Sequence, residues 1–352
     1  MRLLLLFLGV LVVNALSSFL RGESPHTRLA ILLRHQPAAD FDRDGTVTAA
    51  EAREFHARVS HPAADGTLPR SRRTPDAADV VYGPRERHRF DLWLPSRSPD
   101  AGLPLPVVIF FHGGGFVMGD KSHFSPEPFL EAGMACVSAN YRFVNGDSVL
   151  SPEPLRDGAR VVQTLRHRAK DWNLDPGRIA ITGYSAGAVV AMWVAYSDDL
   201  AHPESKDAVA RESSRVTCIV PLDGPTNLHP DWIRDHLGGP TRVHDSFTAM
   251  FGAPADGPMS TEIEERIRAS SPWELVSPDD PATLLVYSGT RTGLPFPESA
   301  PPHEVIHHPY FGDALKRRLD EHGIESALYE DIDPARSSLI VEFLLNQFGM
   351  RD

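Results

Sequence analysis

Cysteine is nearly missing from this chain, with two residues, Cys136 and Cys218, among 352. So few thiols exclude a disulfide framework. Each lies in an apolar run, Ala135-Cys136-Val137-Ser138 and Thr217-Cys218-Ile219-Val220. Both read as buried core thiols rather than as a nucleophile or a bridge. Positive charge is scarce too. The formal net charge is −12, and the longest basic run, Arg70-Ser71-Arg72-Arg73, falls in a stretch that reads as a linker. This balance speaks against a nucleic-acid or anionic-membrane partner. Repeats and low-complexity tracts are absent, and no histidine follows His322. What is present is a 41% hydrophobic chain, long enough for one large α/β domain with a small appendage.

The chain begins with Met1-Arg2 and an apolar run over 3–13, with the small residues Val13-Asn14-Ala15 behind it. A charged start and an apolar stretch of this length predict a secretory signal over 1–22, hence export to a periplasm or the outside. The competing expectation is an uncleaved membrane anchor, since 16–20 stays mostly apolar; Asn14, Ser17 and Ser18 weaken it.

Residues 26–60 form a short unit. Two helical pieces flank Asp40-Phe41-Asp42-Arg43-Asp44-Gly45-Thr46-Val47-Thr48-Ala49-Ala50-Glu51, which resembles the calcium loop of an EF-hand over all twelve positions. Calcium takes six to eight hard oxygen ligands. Asp40, Asp42 and Asp44 offer side-chain oxygens, Thr46 its carbonyl, Thr48 a water-mediated contact, and Glu51 a bidentate carboxylate, while Gly45 permits the sharp turn. The plainer alternative is an acidic turn before a helix. No second loop is visible, so pairing between chains is one way such a unit completes itself. Residues 61–77, rich in proline and arginine, read as a linker to a domain over 78–352.

In that domain strands are expected at 80–82, 90–94, 106–111, 134–141, 178–182, 216–222, 282–287 and 327–330. Helices are expected at 155–172, 186–195, 308–322 and 337–348, with an insertion over 225–272 able to cap a site. Strands alternating with helices predict a mostly parallel sheet.

Gly183-Tyr184-Ser185-Ala186-Gly187 sits between the strand ending at 182 and the helix beginning at 186. A turn this sharp would bring side chains two before and two after the serine into collision, so glycine stands at 183 and 187. Ser185 is then raised over a helix N-terminus, where free N–H groups suit a developing oxyanion. A second glycine run, His112-Gly113-Gly114-Gly115-Phe116, follows the strand at 107–111. Such a run can turn backbone N–H groups toward the serine's reacting carbonyl.

With these two motifs, Asn140-Tyr141-Arg142 after a strand, and Trp172-Asn173-Leu174-Asp175-Pro176-Gly177-Arg178-Ile179 leading into the elbow, residues 80–350 resemble the α/β-hydrolases. The likeness is to the hormone-sensitive-lipase-like and feruloyl-esterase-like carboxylesterases. It implies a serine hydrolase of small-molecule carboxylic esters that needs no cofactor for catalysis. Ser185 would be the nucleophile, with the backbone N–H groups of Gly114, Gly115 and Ala186 as oxyanion hole. In the resembled fold the two cysteine-bearing strands are not neighbours.

The resemblance also implies an acid after the strand at 282–287 and a histidine after the last strand. Ser288-Gly289-Thr290-Arg291-Thr292-Gly293 contains no carboxylate, and the last strand is followed by Glu330-Asp331-Ile332-Asp333-Pro334. Asp223, ending the preceding strand, is the substitute acid, against the alternative of a turn aspartate before Gly224. His308, beside His307, is the expected base, against the alternative of a loop pair capping the helix after Pro309. His322 reads as a helix-end residue, and His112 as a structural part of the glycine motif. The two empty positions also admit a noncatalytic descendant that binds a ligand or partner. Oligomeric state is not legible.

Overall fold

A computed structural model describes residues 73–96, 102–240, 245–254, 258–289, 291, 293–331 and 338–350. The expected signal segment and the calcium loop over 40–51 lie outside them. Contacts divide the chain into Met1–Arg70 and Ser71–Asp352. The described residues all belong to the second unit.

Among the described residues eight strands build one sheet: β1 (Ala77–Val81), β2 (Arg89–Trp93), β3 (Leu105–Phe111), β4 (Ala135–Ala139), β5 (Leu174–Tyr184), β6 (Cys218–Leu222), β7 (Ala282–Val286) and β8 (Ser326–Tyr329). They lie in the order β1-β2-β4-β3-β5-β6-β7-β8. The β1–β2 and β2–β4 pairs are antiparallel, and every later pair is parallel. Cys136 on β4 and Cys218 on β6 are both free and buried, with β3 and β5 between their strands.

The helices are α1 (Glu127–Glu131), α2 (Glu153–His167), α3 (Ala186–Tyr196), α4 (Pro230–Leu237), α5 (Asp245–Phe251), α6 (Thr261–Ser270), α7 (Pro272–Leu275), α8 (Pro302–Ile306), α9 (Tyr310–Glu321) and α10 (Ser338–Gln347). Side chains alternate across the sheet as strand geometry requires. Val107 and Ile109 join one core cluster with α2 and α3, whereas Val108 joins a second with Ile340 and Leu344 of α10. Covering both faces makes β3 continuously apolar rather than alternating. Every residue of α3 is buried, which is why its sequence shows no polar face.

Three expected boundaries move. Residues 73–77 are not linker. The Trp93 indole donates to the Arg73 carbonyl at 2.9 Å, the Asp76 amide donates to Leu92 O at 2.8 Å, and β1 already starts at Ala77. The helix expected over 308–322 is α9, Tyr310–Glu321, with Pro309 as its N-cap, and a separate short helix that was not expected, α8, precedes it and ends with His307 as C-cap. The helix expected over 155–172 ends at His167, and a short 3₁₀ turn over Ala169–Trp172 follows it.

Asn140-Tyr141-Arg142 fastens the carboxyl end of β4. The Asn140 side chain accepts from the Lys121 amide and donates to Asp120. Arg142 binds Asp157 of α2 through two nitrogens, and His88 lies 3.1 Å from the same carboxylate. Burial alone pushes Asp157 up, but hydrogen bonds from His88 and Arg142 more than offset it and hold the carboxyl below its ordinary range. The result is a braced rim at the carboxyl ends of β3, β4 and β5, where open α/β sheets place their ligand sites.

Candidate active site

Ser185 occupies the turn between β5 and α3 with φ 52° and ψ −113°. This left-handed conformation is costly for a residue with a side chain, roughly 1–3 kcal/mol. Surrounding contacts enforce it. The Ser185 amide donates to Leu222 O at 2.9 Å, and its carbonyl accepts from Val189 at 3.1 Å. The flanking glycines are sterically required: a Cβ on Gly187 would lie 1.9 Å from the Phe111 carbonyl oxygen, and one on Gly183 2.4 Å from that of Gly187. Ser185 is thereby held at the N-terminus of α3, 8% exposed.

The partner of the serine is His307. Its Nε2 lies 2.8 Å from Ser185 Oγ. The Tyr184 ring stacks beside the imidazole, with centroids 6.0 Å apart and planes 30° from parallel. The expectation of His308 is therefore corrected by one residue. At the end of α8 the chain leaves the helix at His307 with φ −108° and ψ 8°, so consecutive side chains diverge. His308 turns inward: it is buried, its Nδ1 accepts from the Tyr310 amide at 3.1 Å, and its ring meets Phe296 edge-on at 5.3 Å.

Asp223 follows β6 immediately, is 1% exposed and has φ 49°. Its two oxygens accept from the Ser288 amide and hydroxyl, each at 2.8 Å. Ser288 stands in the stretch after β7 where a carboxylate was expected, so the residue there braces the aspartate one strand over. Burial raises the Asp223 carboxyl above its ordinary value, and the two Ser288 hydrogen bonds only partly oppose that. His322, at the end of α9, has Nδ1 2.9 Å from Arg318 O.

Gly114 and Gly115 both take positive φ, 113° and 58°. Gly113 backs directly on the nucleophile, since a Cβ there would lie 3.5 Å from that of Ser185. His112 is buried, with Nδ1 2.8 Å from Gly113 O and Nε2 3.2 Å from an Arg87 nitrogen. Burial lowers its pKa to about 3, with the Arg87 charge acting in the same direction, so the ring is neutral. Arg87 was missed in the sequence. It sits in the polar turn Gly83-Pro84-Arg85-Glu86-Arg87-His88 between β1 and β2, where an arginine carries no local signal.

A serine on a strand–helix elbow, a histidine at hydrogen-bonding distance and a glycine loop beside them, on a mostly parallel eight-stranded sheet, define an α/β-hydrolase. The BD-FAE family model matches residues 90–300, more than half of the chain, and the chain belongs to that family.

Among solved structures the chain is similar to a truncated form of a carbohydrate esterase from gut microbiota. That match has a TM-score of 0.61 at 18% identity, covering 82% of this chain and 99% of the other. It is also similar to the acetyl ester-xyloside bifunctional hydrolase from Caldicellulosiruptor lactoaceticus, with a TM-score of 0.56 at 21% identity, covering 78% of this chain and 94% of the other. At such identities the likeness is one of fold. Of curated proteins, Esterase LipQ of Mycobacterium tuberculosis is 30% identical over 174 residues, 46% of this chain and 39% of that one. Probable carboxylesterase 13 of Arabidopsis thaliana is 25% identical over 233 residues, 60% of this chain and 62% of that one. The matches thus span less than two thirds of these relatives' length.

Proposed function

We propose that the protein is an exported serine hydrolase of small-molecule carboxylic esters. The observation that supports it most is the 2.8 Å contact between Ser185 Oγ and His307 Nε2 on a strained elbow. In this reading His307 takes the Ser185 proton as Oγ attacks the acyl carbon. The charge that develops on the carbonyl oxygen is met by the backbone N–H groups of Gly114, Gly115 and Ala186, the last at the N-terminus of α3. His307 then protonates the leaving alkoxide, and water repeats the sequence to release the acid.

Asp223 is the carboxylate we assign to this set. Its burial and its place one strand from the nucleophile support it, and a carboxylate that accepts two bonds from Ser288 still has lone pairs to spare. The names of the relatives, an esterase and a probable carboxylesterase, agree with ester cleavage. Export through 1–22 and structural calcium binding by Asp40, Asp42, Asp44, Thr46, Thr48 and Glu51 complete the proposal, on sequence pattern alone.

The test is turnover of an activated short-chain ester together with labelling by a fluorophosphonate. The wild type should turn over and label, and Ser185→Ala and His307→Ala should each abolish both. A wild type that neither turns over nor labels would overturn the reading in favour of a noncatalytic member of the fold.

A further inference from the structure

The glycine loop is held from behind by a side chain that lies outside the family match and far from the motif in sequence. Arg87 reaches from the β1–β2 turn to three separate points. Its Nε donates to Tyr141 O at 2.9 Å, and its Nη2 donates to Gly119 O at 3.0 Å and lies 3.2 Å from His112 Nε2. The guanidinium also rests on the Phe143 ring, 3.7 Å from its centroid, a stacked arrangement that suits arginine.

An arginine nitrogen can only donate, so His112 Nε2 must accept and the ring proton must sit on Nδ1. That nitrogen is 2.8 Å from Gly113 O and therefore donates to it. The His112 ring is sandwiched in place by Tyr141, 4.4 Å away and stacked, whose hydroxyl donates to His112 O at 2.7 Å.

The consequence follows from peptide geometry. In a trans peptide plane the carbonyl of one residue and the N–H of the next point in opposite directions. Fixing Gly113 O on His112 Nδ1–H therefore aims the Gly114 N–H away from the His112 ring. The next plane is fixed as well, because Gly114 O accepts from the Val117 and Met118 amides, both at 3.1 Å. The loop is packed too tightly to find another path: a Cβ on Gly119 would fall 2.4 Å from both Gly113 O and His112 Nδ1, and one on Gly114 2.3 Å from Met118 O.

We infer that Arg87 is a positioning residue for the oxyanion hole: by donating to His112 Nε2, Gly119 O and Tyr141 O it sets the His112 tautomer and, through it, the direction of the Gly114 N–H. The inference rests on the ester-hydrolase reading above for its kinetic consequence, and on the His112 ring nitrogens for its structural one. In this role Arg87 acts through His112 and the glycine loop. Its removal loosens donors that act only when charge develops on the acyl oxygen, so it acts on the chemical step and not on ground-state binding.

The test uses the full chain and two sets of variants. Arg87→Met should lower kcat roughly tenfold to a hundredfold on an activated ester with KM within about twofold of wild type, and should slow fluorophosphonate labelling in proportion. Arg87→Lys should recover little, because one ammonium cannot span the three acceptors that the planar fork reaches. His112→Asn keeps a donor near the Nδ1 position and should retain much more kcat than His112→Gln, whose amide nitrogen stands nearer the Nε2 position. In wild type, ¹⁵N spectra of the histidine rings should show His112 protonated at Nδ1 and bare at Nε2.

Unchanged kcat in Arg87→Met, or kcat falling only in step with the folded fraction, overturns the inference. So does equal activity in His112→Asn and His112→Gln. A wild type with no turnover and no labelling counts against the hydrolase reading instead. The ring nitrogens then decide, and an Nε2-protonated His112 overturns the inference on its own.

Discussion

The two sides of the site are built by different means. On the nucleophile side, β3, β5 and α3 present their groups at the ends of regular elements, and backbone sterics dictate the residues: a Cβ at Gly187 would sit 1.9 Å from Phe111 O. On the base side, Asp223 and His307 come from the connections after β6 and β7, and tertiary packing alone decides which side chain arrives. Both lie one strand earlier than the resemblance implied. The difference lies in how tightly the chain fixes each proposed group. An elbow whose geometry excludes all but glycine cannot migrate, whereas an imidazole needs only to reach one oxygen at 2.8 Å.

The sharpest test of that contrast swaps histidines. Ser185→Ala and His307→Ala should each reduce kcat by on the order of 10⁴-fold or more, and the double variant should add little, as expected for residues acting as a unit. His308→Ala should lower thermal stability, since its buried ring packs on Phe296, but cost far less activity than His307→Ala. Steady-state kinetics corrected for folded fraction checks this. Loss of labelling in His308→Ala with His307→Ala intact would reverse the assignment.

Asp223 offers a test with two opposed readouts. Burial raises its carboxyl, so the unfolded chain gives up this proton at a lower pH than the folded one. Stability is therefore lost as pH rises from the ordinary aspartate range through the raised value. Asp223→Asn carries no charge and should raise Tm at pH 7, converging on wild type in acid. If Asp223 orients His307, the same change should cut kcat by roughly 10²–10⁴-fold. A higher Tm with unchanged kcat would leave the base side of the site without this acid.

On the nucleophile side the expected loss is steric. Gly187→Ala should destabilise the protein by about 3 kcal/mol, because the new methyl meets backbone that cannot move aside. Chemical denaturation gives the value. A near-neutral outcome would mean that the elbow is as adaptable as the base side, and the contrast between them would fail.

Legibility followed the same divide. Gly183, Ser185, Gly187 and the run from His112 to Gly115 were readable because each is required by its neighbours in the chain. The sheet strands were readable because burial on both faces leaves long apolar runs, as at β3. The histidine beside Ser185 is one residue from the expected one, since the choice between His307 and His308 depends on a backbone angle at the end of a five-residue helix. Arg87 was invisible because its three acceptors are backbone carbonyls and one ring nitrogen, scattered from 112 to 141. The match to the BD-FAE family, over residues 90–300, includes Ser185 and Asp223 and stops short of His307.

A further effect concerns His112 and pH. Its pKa is near 3 in the fold, against an ordinary 6.5. Below about pH 6.5 the unfolded chain binds a proton that the folded protein refuses, so this residue's contribution to stability is lost as pH falls toward about 3. Urea midpoints of wild type should decline more steeply through that window than those of His112→Asn. Parallel curves would show that the ring is not held neutral.

The smallest expected effect lies outside the hydrolase unit. Every residue assigned to the reaction falls within Ser71–Asp352, and the pairing of Arg73 and Asp76 with β2 sets the safe cut after Arg70 rather than after Ala77. A chain trimmed through Arg70 should therefore keep its kcat and KM on the activated ester. Calcium, by contrast, should act on the full chain alone. Binding to the folded state adds about 2.7 kcal/mol of stability when the ion stands at a hundred times its Kd. On the proposal of a calcium site in the 26–60 unit, a thermal transition of the full chain should rise with calcium, and that of the trimmed chain should not. Asp40→Ala and Glu51→Ala should remove the shift, because they take away the proposed first loop ligand and the proposed bidentate one. Equal calorimetric traces with calcium and with chelator, in the full chain, would rule out a calcium site in that loop. A trimmed chain with a native circular dichroism spectrum and no activity would show that residues before 71 reach the ester.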